Sequence, residues 1–180
     1  MTTNGIHPDL APLAVPIDLL DPLAGNPRRG DVGAVARSYE AFGQRKPVVA
    51  RRDGDRGTVL AGNHQLAAAR SLGWDAIAVV WVDDADDVAA AFALADNHVG
   101  DLGGYDDRLL AEMLATVADD GNLMAATSYT ADDLAALGAS ADDLDALLAS
   151  FEPVDGPGSR LDERRPFACP ECGAEFRLPR

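Results

Sequence analysis

The sequence has none of the long apolar segments of a membrane protein. Its apolar runs are broken by Asp or Gly well short of the roughly 20 residues that a membrane-spanning helix needs. Residues 1–10 also lack the basic start and the apolar stretch of a signal peptide. We therefore expect a cytoplasmic protein that makes no membrane contact. With 180 residues, the chain is too short for a large multi-domain enzyme.

Basic residues are scarce, and the acidic excess is concentrated in one region. The chain holds 15 Lys and Arg against 30 Asp and Glu, which gives a net charge of -15. Residues 83–150 contain 16 acidic residues and a single basic one, Arg108. Such a surface repels phosphate backbones, so unspecific binding of this region to duplex DNA is opposed. Runs of this kind are usually solvated helix faces that keep a protein soluble.

Cysteine is nearly absent, since Cys169 and Cys172 are the only two. Their C-x-x-C spacing places two thiolates on one Zn²⁺, but a closed structural zinc site needs four ligands. A second copy of the chain would complete the site as a zinc-bridged homodimer. The alternatives are a histidine ligand, or a pair that binds no metal. A disulfide is disfavoured in a reducing cytoplasm.

Hydrophobic residues make up 47% of the chain, which is enough for a core. Their spacing predicts the order β-α-β-β-α-β at the start of the chain. The predicted elements are a strand over 13–20, a helix capped by Asp31 and ended by Gly43, a hairpin over 47–61, a helix over 64–72 and a strand over 76–82 that is buried on both faces.

After residue 84 the strand signals stop, and four separate helices are predicted up to residue 148, with a flexible break at 100–104. A helix over 86–96 and another from Asp106 have amphipathic spacing, and short acidic helices are predicted at 132–137 and 142–148. The predicted apolar stripes are Val88, Ala91, Phe92 and Ala95 in the first helix and Leu109, Leu110, Met113, Leu114 and Val117 in the second. Residues 153–159 are a linker by composition.

The segment Gly62-Asn63-His64-Gln65 is a candidate anion site. Here a strand passes through a glycine turn into a helix, so free backbone N–H groups and the positive end of the helix dipole point the same way. His64 would donate to a phosphate oxygen or transfer a proton near neutral pH. The alternative is that Asn63 simply caps the helix and His64 is a partly buried ring.

Two other clusters have the chemistry of phosphate and metal binding. In Asn26-Pro27-Arg28-Arg29, the proline stiffens the loop and Arg28 presents a guanidinium suited to phosphate oxygens, although an exposed turn would look the same. Asp96 and Asn97 carry hard oxygen ligands suited to Mg²⁺, which often takes one or two protein groups besides phosphates and water. The alternative is a polar helix end with Asn97 as its left-handed cap.

Taken in order, these motifs resemble the N-terminal domain of the ParB and sulfiredoxin superfamily, in particular ParB-like proteins of phages and actinobacteria. The resemblance covers about residues 13–118. The matching segments are Val15-Pro16-Ile17-Asp18-Leu19-Leu20, Asn26-Pro27-Arg28, Gly43-Gln44, Pro47-Val48-Val49, the run 59–69, Leu72-Gly73-Trp74 and Leu94-Ala95-Asp96-Asn97. The resemblance implies a compact α/β (α+β) domain with a small mixed sheet that holds CTP or ATP. It implies that Gly62 to Gln65 wrap the triphosphate, that Arg28 supports it, and that Asp96 and Asn97 hold the cation.

Three departures from the family pattern narrow this interpretation. Asn63 stands where sulfiredoxins carry a cysteine, which argues against sulfinic-acid repair. Gln65 replaces an arginine and removes a positive charge from the phosphate site. Residues 105–150 hold one arginine, Arg108, where partition-type ParB proteins have a basic recognition helix, so we expect no sequence-specific DNA binding by this region.

We therefore expect a ParB-like protein that binds a nucleoside triphosphate, CTP or ATP, with Mg²⁺. It would act as a switch or a slow NTPase in DNA metabolism, partition or transcription control, with His64 as the candidate catalytic residue and DNA or a DNA-bound protein as a further partner. Residues 13–118 would form the nucleotide-binding domain, 119–150 an acidic helical extension, and 151–180 a linker with the cysteine pair.

Two alternative functions remain. A metal-dependent DNase would use a basic groove, for which the available residues are Arg28, Arg29, Arg37, Arg45, Lys46, Arg51, Arg52 and Arg56. An adaptor without catalysis would use its acidic helices to mimic DNA or to dock a basic partner, in an association that salt weakens.

Overall fold

The computed structural model describes residues 5–139, together with the backbone of two short strands, Phe167–Ala168 and Glu175–Phe176. The chain divides into two units, Met1–Asp142 and Asp143–Arg180. In the second unit, the two short strands pair antiparallel. The predicted helix at 142–148 and the predicted zinc ligands Cys169 and Cys172 lie outside the described residues.

The first unit contains a five-stranded mixed sheet with the strand order β1-β5-β3-β4-β2. The strands are β1 (Ala14–Pro16), β2 (Leu20–Pro22), β3 (Val48–Asp53), β4 (Arg56–Ala61) and β5 (Ala76–Val82). The predicted hairpin is confirmed, because β3 and β4 pair antiparallel. β5 pairs parallel with β3 and antiparallel with β1, whereas β2 pairs parallel with β4.

The prediction of one strand over 13–20 is wrong, because a 3-10 turn at Ile17–Leu19 divides it into β1 and β2. These two strands lie at opposite edges of the sheet. Four residue steps from Pro16 to Leu20 span at most about 14 Å. The outer strands of a flat five-stranded sheet would lie about 19 Å apart, so the sheet must curl. The Arg70 side chain donates to the carbonyls of Ile17 (3.3 Å) and Leu20 (2.6 Å), which holds the crossing in place.

Two helices cover one face of the sheet. The first, α1 (Val32–Phe42), begins at Asp31, whose carboxylate accepts from the Ala34 N–H at 2.9 Å, and ends at Gly43, as predicted. The second, α2 (Asn63–Ser71), packs beside α1. The fully buried apolar side chains between helices and sheet include Leu20, Val48, Val59, Leu66, Ile77 and Val79.

The helix α3 (Asp86–Val99) packs on β4 through its smallest side chains. Ala89 and Ala93 are buried, whereas all four residues of the predicted stripe are exposed, so that prediction is wrong. Small residues allow α3 to approach the sheet closely, and hydrophobic spacing alone does not reveal this. The strand β5 also differs from expectation, since its first four residues are buried but Val80 is 40% exposed.

Three further α-helices follow α3 within residues 100–139. The predicted helix from Asp106 is confirmed as α4 (Asp107–Ala115), although Leu109 and Met113 of its stripe are exposed. The helix α5 (Gly121–Thr127) was not predicted and packs against α1. The predicted helix at 132–137 is confirmed as part of α6, which covers residues 131–139. Among the described residues, none of the helices is both long and apolar enough to span a bilayer.

Candidate functional site

A cavity of about 230 Å³ lies where the N-terminus of α2 meets the C-terminal part of α3. The residues that line it are Asn26, Arg28, Leu60, Gly62, Asn63, His64, Gln65, Asp96, Asn97 and Gly100. The three clusters singled out in the sequence therefore line one cavity, although the chain separates them widely. We take this cavity as the candidate site.

The glycine turn gives α2 an open N-terminus. Gly62 adopts a left-handed conformation (φ 97°, ψ 26°) at the N-cap position, and no side chain caps the helix. The N–H groups of the first helical turn have no acceptor within the helix. The positive end of the helix dipole lies at the same place, and anion binding there stays a prediction.

The side chain of Asn63 forms hydrogen bonds with the protein's own backbone. Its Oδ1 accepts from the Leu23 N–H (2.9 Å), and its Nδ2 donates to the Val59 carbonyl (3.0 Å). The alternative in which Asn63 caps α2 is wrong, because Gly62 occupies that position. Asn63 therefore ties the loop after β2 to the end of β4, and its main chain is the part left to face a ligand.

We expect Asn63→Ala to lower the free energy of unfolding by about 2 kcal/mol, because the Leu23 N–H and the Val59 carbonyl both lose their partner. Urea denaturation measures this change. The matched control is Asn122→Ala, which alters an exposed asparagine in α5. We expect it to change stability by less than about 0.5 kcal/mol. Equal stability of the two variants would contradict the role assigned to Asn63.

His64 is fixed by the backbone of the opposite loop. Its Nε2 accepts from the Gly30 N–H at 2.8 Å, so the neutral ring carries its proton on Nδ1. A Cβ at residue 30 would lie 2.9 Å from the ring, which explains why glycine is present there. In this arrangement His64 is a hydrogen-bond donor through Nδ1. The predicted catalytic role of His64 stays a prediction.

Arg28 bridges the loop after β2 to the end of α3. Its Nη1 donates to the Asn97 carbonyl (2.7 Å) and to Oδ2 of Asp101 (2.5 Å). The hydrogen bond between the two side chains raises the pKa of Arg28 and lowers the pKa of Asp101. Sequence reasoning missed Asp101, although it follows Asn97 by one helical turn.

The predicted Mg²⁺ ligands lie at the same cavity. Asp96 is exposed, and Asn97 donates through Nδ2 to Oδ1 of Asn26 at 3.3 Å. Within residues 5–139, no three His, Cys, Asp or Glu side chains cluster as a metal site. Mg²⁺ often binds through one or two protein oxygens and takes its other ligands from phosphates and water, so the predicted Mg²⁺ site at Asp96 and Asn97 stays a prediction.

A second cavity of about 350 Å³ adjoins the first and shares Asn26, Leu60 and Asn97 with it. Its other walls come from the loop after β2, from α3 and from Arg51 of β3. Most of them are apolar (Leu23, Ala24, Ala89, Ala90, Ala93 and Leu94), and the ion pair of Arg51 with Asp86 adds charged groups to the wall. Sequence reasoning did not identify this cavity. A polar cavity that continues into an apolar one suits a ligand with a charged end and an apolar body.

Four of the eight basic residues proposed for a DNase groove are paired with carboxylates. The pairs are Arg28 with Asp101, Arg51 with Asp86, Arg52 with Asp83 at 3.6 Å, and Arg56 with Asp21 at 2.8 Å. Half of the eight predicted cations are thus partly neutralised within the protein. This pairing does not favour the DNase alternative.

No protein-family model and no curated protein matches the sequence. Among solved structures, the chain is similar to the truncated chromosome-partitioning protein ParB from Caulobacter crescentus complexed with CTP-gamma-S. The TM-score is 0.61 at 16% identity, over 79% of this chain and 87% of that chain. Sulfiredoxin from Arabidopsis thaliana has a TM-score of 0.38 at 16% identity, over 44% of this chain and 92% of that chain. The truncated Caulobacter crescentus ParB complexed to the centromeric parS site has a TM-score of 0.40 at 16% identity, over 69% of this chain and 63% of that chain. The fold is ParB-like, and the fold predicted from the sequence is confirmed.

Proposed function

We propose that the protein binds a nucleoside triphosphate, CTP or ATP, with Mg²⁺ in the cavity between α2 and α3. The observation that carries this proposal is that the Gly62 turn, Arg28 and the pair Asp96 and Asn97 line one cavity. The ParB structure with the same fold is a complex with CTP-gamma-S, which supports a nucleotide as the ligand. In this proposal the protein acts as a nucleotide-controlled switch in DNA metabolism, partition or transcription control.

Each part of the ligand has a matching group in the cavity. The backbone N–H groups at the start of α2 and the guanidinium of Arg28 would bind phosphate oxygens. Asp96 and Asn97 would hold Mg²⁺, which neutralises part of the phosphate charge. The adjoining apolar cavity would take the nucleoside.

The position of His64 favours a switch over rapid hydrolysis. A general base must accept a proton from the attacking water, and Nε2 of His64 already accepts from Gly30. His64 would instead donate from Nδ1 to the ligand. A slow NTPase remains compatible with this arrangement only when the bond to Gly30 opens.

We expect Mg²⁺ with the preferred nucleotide to raise the melting temperature by about 5–10 °C when the nucleotide is at 100 times its Kd, because a ligand bound only by the native form stabilises it. A thermal-shift panel with CTP, ATP, GTP and UTP, with and without Mg²⁺, measures this. We expect Arg28→Ala to weaken binding by about 10- to 100-fold, because it removes a charged hydrogen-bond donor.

The matched control is Arg37→Ala, which removes an exposed arginine of α1 that does not line the cavity. We expect its affinity to stay within about twofold of the wild type. The proposal fails if no nucleotide raises the melting temperature at millimolar concentration, or if the two arginine variants lose affinity equally.

The adaptor alternative has one observation in its favour. The helix α3 exposes the apolar side chains of Val88 (51%), Leu94 (57%) and Val99 (64%), which leaves them available to contact a partner. An adaptor would fold normally and show no nucleotide-dependent change in melting temperature. The same thermal-shift panel therefore separates the two functions.

A further inference from the structure

Arg28 is already engaged before any ligand arrives. Among the described residues that line the 230 Å³ cavity, it is the only lysine or arginine. Both hydrogens of its Nη1 have acceptors, the Asn97 carbonyl at 2.7 Å and Oδ2 of Asp101 at 2.5 Å. Asp101 belongs to the 3-10 turn Gly100–Leu102, which directly follows α3.

We propose that Asp101 is an internal competitor of the ligand's phosphate for Arg28. Its carboxylate occupies a hydrogen-bonding position on the guanidinium that a phosphate oxygen would otherwise take. Asp101 thereby lowers the affinity of the cavity for polyphosphates. This inference rests on the proposed function and adds a regulatory residue to that site.

The charges around the cavity support competition. Carboxylate and phosphate oxygens bind a guanidinium in the same way, so the two ligands exclude each other from the same N–H groups. Apart from Arg28 and the histidines His64 and His98, the titratable neighbours are the carboxylates Asp96 and Asp101. An approaching phosphate meets a cation that is already paired and two negative charges that repel it.

The competitor is charged at neutral pH. The hydrogen bond from Arg28 lowers the pKa of Asp101 below that of an ordinary aspartate. The pair is also accessible to ligand, because the Arg28 and Asp101 side chains are 40% and 55% exposed. A phosphate can therefore replace Asp101 as the partner of Arg28 without any opening of the protein core.

The test compares four proteins: the wild type, Asp101→Asn, Arg28→Ala and the double variant. Calorimetry at low ionic strength measures their affinity for two ligands, the Mg²⁺ nucleotide that raises the melting temperature most and inorganic tripolyphosphate. We expect Asp101→Asn to bind both about five- to tenfold more tightly than the wild type, because Asn keeps the shape and removes the charge. In an Arg28→Ala background, the same substitution should change affinity by less than about twofold. Added salt should reduce the gain.

The matched control is Asp107→Asn, which removes one charge from the same acidic stretch at the start of α4. We expect it to change affinity by less than about twofold, because Asp107 does not line the cavity. Asp101→Ala serves as a second variant, and its gain should equal or exceed that of Asp101→Asn. Circular dichroism verifies that each variant is folded.

The outcomes separate this proposal from the proposed function. If the wild type binds a nucleotide but Asp101→Asn gains no affinity, or gains as much without Arg28 as with it, competition is overturned and nucleotide binding stands. If only tripolyphosphate binds, and Asp101→Asn tightens it, competition stands and the nucleoside assignment fails. If no variant binds either probe at millimolar concentration, both proposals are overturned.

Discussion

Gln44→Leu is expected to lower the free energy of unfolding by about 3–5 kcal/mol, a large part of the stability of a domain of this size. Gln44 has no exposed surface, and among the described residues it is the only fully buried polar side chain. Its Oε1 accepts from the Ala78 N–H (2.6 Å), and its Nε2 donates to the carbonyls of Ala78 (3.0 Å) and Lys46 (3.1 Å). Leucine fills a similar volume but removes these hydrogen bonds, two of which lie at the buried Ala78 backbone.

Urea denaturation of Gln44→Leu and Gln44→Glu separates packing from hydrogen bonding. Glutamate keeps the shape and an acceptor for the Ala78 N–H, but it loses the donor to the two carbonyls and buries an acid. We expect it to destabilise the protein at least as strongly as leucine. If the free energy of unfolding falls by less than about 1 kcal/mol in both variants, the Gln44 hydrogen bonds do not stabilise the fold as expected.

Gly62→Ala is expected to lower the free energy of unfolding by about 2–4 kcal/mol and to weaken nucleotide binding. The left-handed conformation at φ 97° costs a non-glycine residue about 1–2 kcal/mol. The new Cβ would also lie 2.6 Å from Cγ1 of Val48, a buried strand residue that has no space to move. Overpacking of this kind costs about 1–3 kcal/mol more. Relief of the clash would shift the start of α2, whose N–H groups are proposed to bind phosphate.

The matched control for this variant is Gly54→Ala. Gly54 also has a left-handed conformation (φ 58°), but a Cβ there would meet nothing within 4 Å. We expect a loss of about 1 kcal/mol and unchanged nucleotide affinity. Denaturation and the nucleotide panel measure both effects. Similar stability losses at the two glycines would show that the contact with Val48 is unimportant.

The local features of the fold could be predicted from the sequence because they depend on residues that are neighbours in the chain. Asp31 and Gly43 mark the two ends of α1 through a side-chain cap and a glycine at positive φ (67°), and both act within one turn of helix. The hairpin of β3 and β4 follows from a turn-rich segment between two β-type runs. The break of the predicted strand at Ile17–Leu19 was not readable, because it depends on pairing with β5 and β4, which are distant in sequence.

The candidate site was predictable in its residue types but not in their partners. The Gly62 turn, Arg28 and the pair Asp96 and Asn97 were singled out from short motifs, and the structure brings them to one cavity. Asp101 was missed, because an aspartate after a helix is common and only the position of Arg28 gives it a role. Gln44 was part of a matching motif but was given no function, because its hydrogen bonds to the Ala78 backbone exist only in the folded sheet.

Helix ends, turns and the chemistry available at each motif come from interactions between residues that are close in the chain, so amino-acid order alone specifies them. The apposition of α2 and α3, the pairing of Arg28 with Asp101 and the choice of alanines as the packing face of α3 required the folded molecule. These features depend on the curl of the sheet and on contacts between segments more than 25 residues apart. Such contacts form only when the whole core is packed.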